Sequence, residues 1–166
     1  LLALLRGADM TENLTILAKT GLCALTEPQV CALENYAYTW QLKAADWRAP
    51  FEKSPAGFGA QPSPQQAQEL ARTEALRAGI MEKLGAFLQS VRGATAEGIS
   101  RALYFLLDSF GGAACTEALA AQLAAAGDAQ GAAAVYDAWN HVMQLLDEME
   151  KLLGGDCLLY TSPSPR

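Results

Sequence analysis

His141 is the chain's single histidine. An imidazole serves as general base only when an acid or nucleophile stands close by. The sequence offers no acid, base and nucleophile set around it, so His141 reads as an exposed polar residue. Asp147, Glu148 and Glu150 supply three carboxylates. Their spacing is not that of a calcium loop, and a solvated helix face is the simpler reading. Cys23, Cys31 and Cys115 lack the paired CxxC spacing of zinc or redox sites. They read as reduced thiols of a cytosolic, cytoplasmic protein. No GxGxxG or GxxxxGK phosphate loop occurs, and no GxSxG or HExxH pattern. The residues therefore assign no catalytic, metal or cofactor-binding group.

One cluster remains. Lys43, Trp47, Arg48, Phe51 and Lys53 interleave cations with aromatic rings. Such a set can hold single-stranded DNA by base stacking and charge. It can equally be a docking corner, with the rings buried and the cations reaching outward to water or to a partner. The second reading is preferred. The net charge of −6 argues against a free-standing binder held by phosphate contacts. That argument does not extend to one piece of a larger DNA machine.

The elements that must position this cluster are helices. Hydrophobic residues make up 51% of the chain and many are alanine, a strong helix former and a poor strand former. Thr11 is the expected N-cap of a first helix with Leu14, Leu17 and Ala18 on its apolar face, stopped by Gly21. Thr26 caps the next, with Pro28 in the first turn. Val30, Leu33, Ala37 and Trp40 give it one buried face, Tyr36 widens that face, and the helix ends near Gln41. A short turn is expected at Asp46–Arg48. A Pro/Gly-rich loop follows near 49–63. Ser63-Pro64 opens a long helix to about Val91, with Ile80, Leu84, Phe87, Leu88 and Val91 as its stripe and Arg72, Glu74, Glu82 and Lys83 on other faces. Thr95 caps a helix carrying Ile99, Leu103, Leu106 and Phe110, ended by Gly111-Gly112. A short helix is expected over Thr116–Ala126. The last starts at Asp128, with Val135, Trp139, Val142, Leu146, Met149 and Leu153 as a heptad seam. Ile80–Val91 and Ile99–Phe110 are its expected partners, with Trp139 buried among them. The fold class is all-α: an antiparallel helical bundle of about six to seven helices. No internal repeat of fixed period is visible, and no run of about 18 apolar residues predicts a membrane span.

Both ends are expected to be cuts in a longer reading frame. Leu1–Leu5 reads as the end of a helix whose start is missing. The last ten residues, Cys157–Arg166, break the composition and read back, codon for codon, as a transposon-based sequencing adapter. Residues 1–156 are therefore taken as a helical segment of a larger protein, and 157–166 as a translated scar.

The order of features also carries a resemblance. LAKTGL at Leu17–Leu22 precedes LTEPQVCALENYAYTWQLKAADW at Leu25–Trp47, and an alanine- and acid-rich stretch runs from Ala124 to Gly155. This resembles the B subunit of the bacterial AddAB-type ATP-dependent helicase/deoxyribonuclease, in the helicase-like N-terminal half. The resemblance implies a parent that acts with an A subunit as a heterodimer on DNA, in double-strand break processing and recombinational repair. It implies ATP, magnesium and an iron–sulfur cluster for that parent, and none of their ligands among the residues here. The expectation is a catalytically silent segment facing DNA or the A subunit. The alternative is a small non-enzymatic all-α interaction module.

Overall fold

Three of the helices, those opening after Ser63, Thr95 and Asp128, start where a short polar side chain closes the first turn. The computed structural model describes residues 10–55, 57 and 62–153. Among them it shows α1 (Met10–Lys19), α2 (Glu27–Trp40), a 3-10 turn (Asp46–Arg48), α3 (Pro64–Ser90), α4 (Ala96–Ser109), α5 (Gly112–Ala125) and α6 (Ala129–Leu153). The architecture is all-helical, a helical bundle, as the composition implies. The Ser63 hydroxyl accepts from the Gln66 amide at 3.3 Å while Gln66 Oε1 accepts from the Ser63 amide at 2.8 Å. This reciprocal pair satisfies two amides at the start of α3. Thr95 Oγ1 accepts from the Gly98 amide at 3.2 Å, and Asp128 Oδ1 from the Gly131 amide at 2.7 Å. At α2 the cap is closed from inside the helix, by Gln29 Oε1 accepting from the Thr26 amide at 2.8 Å.

The chain divides into two compact units, Leu1–Lys83 and Leu84–Arg166, and α3 contributes to each. In the first unit α1 and α2 pack on one another. Leu14 and Ala18 of α1, and Val30, Leu33, Tyr36 and Ala37 of α2, are buried. Each large apolar side chain removed from water in this way contributes on the order of 1.5–3 kcal/mol. Two expectations change here. Thr11 is not a cap but lies inside α1, where its hydroxyl serves a distant tryptophan. Trp40 is half-buried rather than enclosed, and its indole N–H donates to Ser54 O at 3.2 Å.

In the second unit α6 packs against α5 and α4. The close approach is made by small residues. Gly112, Thr116 and Ala120 are the buried positions of α5, and Ala132 is buried on α6. The expected start of α5 at Thr116 is corrected to Gly112. The single residue Gly111, at φ 75°, turns the chain, so Gly112 is free to join the next helix. The expected seam of α6 is corrected as well. Val142 is 40% exposed, whereas Met143 faces inward with Val135, Trp139, Leu146 and Met149. The helices that pack most closely on α6 are α4 and α5, rather than the Ile80–Val91 stripe. Among the described residues no helix is long and apolar enough to cross a membrane. The expected helix end at Leu1–Leu5 and the tail at Cys157–Arg166 lie outside the described residues.

Candidate functional site

The corner is built from the end of α2 outward. Gln41 takes the left-handed conformation, φ 46° and ψ 52°, and ends the helix. The Leu42 amide then reaches back to Ala37 O at 3.0 Å, while the Gln41 amide donates to Tyr38 O at 3.2 Å. This is the paired closure of a Schellman end, and Leu42 is buried beside it. Asp46 fixes the following turn: its Oδ2 accepts from the Lys43 amide at 2.7 Å. Trp47 is thereby delivered into the interior, 2% exposed. Its indole N–H donates to Thr11 Oγ1 at 2.9 Å, and the Thr11 hydroxyl donates to Leu42 O at 2.7 Å. One chain of hydrogen bonds thus ties α1, the end of α2 and the 3-10 turn together.

Phe51 continues the corner. Its ring stacks on Tyr36 with centroids 4.3 Å apart and meets Trp47 edge-on at 5.5 Å. The Tyr36 hydroxyl accepts from the Lys53 amide at 3.0 Å. Burial pushes the Tyr36 phenol above its ordinary value, and that backbone donor pulls the other way. On α3, Arg77 is buried and its guanidinium stands 5.6 Å from the Phe51 ring. Arg77 Nη1 donates to Trp47 O at 2.8 Å, and Nε and Nη2 donate to the Glu74 carboxylate at 2.6 and 2.5 Å. Glu74 in turn accepts from the Phe51 amide at 2.7 Å. The bonded Arg77 holds the Glu74 carboxyl below its ordinary value, the Phe51 amide adds to that, and burial opposes it.

The cluster expected from sequence is therefore divided. Trp47 and Phe51 are enclosed, so their faces are not offered to a base. Lys43, Arg48 and Lys53 are exposed, and Lys53 Nζ lies 5.0 Å from the Trp40 ring. Glu74, expected on an outer face of α3, instead turns to the loop. Arg77 was not anticipated at all. Its signal was present: position 77 lies on the stripe that continues through Ile80, Leu84 and Phe87. A charged residue on an apolar stripe requires a partner.

The remaining candidates are spread along the helices. His141 is exposed, with Nδ1 2.7 Å from Asp137 O on its own helix. Asp147 pairs with Lys151 at 2.9 Å, and Glu148 accepts from Gln144 at 2.8 Å. Among the described residues Cys23, Cys31 and Cys115 form no disulfide, and the Cys23 thiol faces Leu17 O at 3.6 Å. Among the described residues no three histidine, cysteine or carboxylate groups converge on a metal-sized position.

A second concavity lies wholly in the second unit, about 630 Å³ in volume, between α4 and α6 over Ala113 of α5. Trp139, Met143 and Leu146 form its apolar side, and Arg101, Asp147 and Glu150 its charged rim. No protein-family model matches the chain, and no curated protein matches it significantly.

Proposed function

We propose that this chain is a catalytically silent helical segment of the B subunit of an AddAB-type helicase–nuclease, acting in the cytoplasm on double-strand breaks. It faces DNA or the A subunit through the corner. The observation that carries this reading is that LTEPQVCALENYAYTWQLKAADW, the stretch with the resemblance, supplies most of the corner. Its buried rings hold a turn whose exposed face carries Lys43, Arg48 and, just beyond, Lys53. Cations fixed on a rigid turn suit phosphate oxygens or an acidic partner surface. ATP, magnesium and the iron–sulfur cluster belong to other parts of the proposed parent.

The test uses the intact gene product with its A subunit. Reversing Lys43, Arg48 and Lys53 together to glutamate is expected to weaken single-stranded DNA binding or A-subunit association, with the helical circular dichroism unchanged. If both associations survive, the corner has no such role. The flanking reading frame tests the parent: a stop codon soon after Asp156 removes it. A small all-α interaction module is the second reading, favoured by the exposed Tyr104, Phe105 and Leu145 of the second unit.

A further inference from the structure

The concavity between α4 and α6 has a feature that packing alone does not account for. Ser100 lines it and is 2% exposed, yet among the described residues its hydroxyl has no hydrogen-bond partner. A serine within a helix commonly bonds the carbonyl four residues back, as Thr116 does to Gly112 O at 2.8 Å and Thr73 to Glu69 O at 2.9 Å. Leaving a buried hydroxyl unpaired is unfavourable. Around it lie the half-buried Trp139 and Met143 and the half-exposed Tyr104. Trp139 packs closely on Gly112, where an added Cβ would stand 2.9 Å from the indole ring.

Charge selects among occupants. Of the lining charges Asp147 and Glu150 outnumber Arg101, while Glu97, Glu148 and Lys151 stand behind them, bonded to Arg101, Gln144 and Asp147 respectively. Arg101 is already engaged by Glu97 at 2.6 Å and by Glu150 at 3.4 Å. Phosphate is disfavoured on such a rim. A groove between two helices, with an apolar floor, suits a third amphipathic helix. We propose that this groove docks a basic amphipathic helix of a partner protein. Its apolar residues rest on Trp139 and Met143, its cations meet Asp147 and Glu150, and one polar side chain at depth pairs with the Ser100 hydroxyl. The proposal does not depend on the parent suggested above.

The probe is a synthetic leucine–lysine helical peptide with one central asparagine, titrated into the full chain. Indole fluorescence and calorimetry report binding. Binding is expected with a change in indole emission, which Trp139→Phe abolishes. A leucine–glutamate peptide of the same pattern is expected not to bind, and Asp147→Lys with Glu150→Lys is expected to reverse that preference. Both substituted carboxylates are exposed, so the fold is retained. Ser100→Ala should weaken the asparagine peptide about tenfold, as expected for one buried hydrogen bond, and leave a central-leucine peptide unweakened. Equal binding of the lysine and glutamate peptides, or an indole signal that survives Trp139→Phe, overturns the proposal. So does the absence of binding.

Discussion

Two tryptophans of this chain sit in opposite circumstances. Trp47 is enclosed, its indole N–H is bonded to Thr11, its carbonyl to Arg77, and its ring to Phe51. Trp139 lies half-buried on Gly112, at the side of a groove that holds an unpartnered hydroxyl. The first region has its polar groups matched within the chain. The second retains an unmet hydrogen bond and uncovered apolar surface. A matched corner is suited to fixing geometry, and an unmatched groove to receiving another molecule. Under the two proposals, a partner meets the corner through its exposed cations and completes the packing of the groove.

Replacing each tryptophan separates the two most sharply. Trp47→Ala should cost about 3–5 kcal/mol, because removing an enclosed ring leaves a cavity and takes away the indole N–H that donates to Thr11 Oγ1. A fall in melting temperature of only a degree or two would show that the corner is loosely packed.

The network behind Trp47 carries the next effect. Glu74→Gln keeps the shape of the side chain but weakens the bonds to Arg77 and Phe51, and should cost about 2 kcal/mol. The same carboxylate makes stability depend on pH. Its folded pKa lies below the ordinary 4.5, so the unfolded chain takes up the proton first as pH falls. The contribution is fully present above about pH 4.5 and is lost as pH drops through the folded value. Wild-type and Glu74→Gln unfolding curves should therefore differ most at neutral pH and converge in acid. A constant difference across that range would show that the pair with Arg77 does not hold Glu74 ionised.

How far the sequence reaches is clear from these same residues. The helices were legible because caps such as Ser63, Thr95 and Asp128 are local, and so is apolar spacing. The aromatic run at Tyr36–Trp47 pointed to a docked helix end. What it docks on was not legible. Thr11 looks like a cap when only its neighbours are considered, and its actual partner lies 36 residues away. Glu74 reads as a surface charge until the chain at 47–51 folds over it, and nothing local shows that Arg77 will hold the Trp47 carbonyl. The heptad reading of α6 chose Val142 over Met143. Neighbouring positions of a helix point about 100° apart, and only the packing on α4 and α5 decides between them.

Trp139→Ala should cost less than the change at Trp47, about 1–2 kcal/mol, since part of the ring already faces water. It should also remove the groove's capacity for an apolar partner. A cost as large as that of Trp47→Ala would mean that the groove closes over the ring in solution, and the contrast between the two regions would fail.

The smallest expected effect comes from the turn that starts the corner. Gln41 is a residue with a side chain at φ 46°, where glycine is the usual occupant. The left-handed conformation costs a non-glycine residue about 1–2 kcal/mol, and glycine gives back part of that relief through greater freedom in the unfolded chain. Gln41→Gly should therefore stabilise the chain by about 0.5–1 kcal/mol, read as a rise in the denaturation midpoint with an unchanged slope. Gln41 is exposed, so no packing is lost with its side chain. A destabilised Gln41→Gly chain would show that the helix end depends on the Gln41 side chain itself. The corner would then be less completely matched than its buried half indicates.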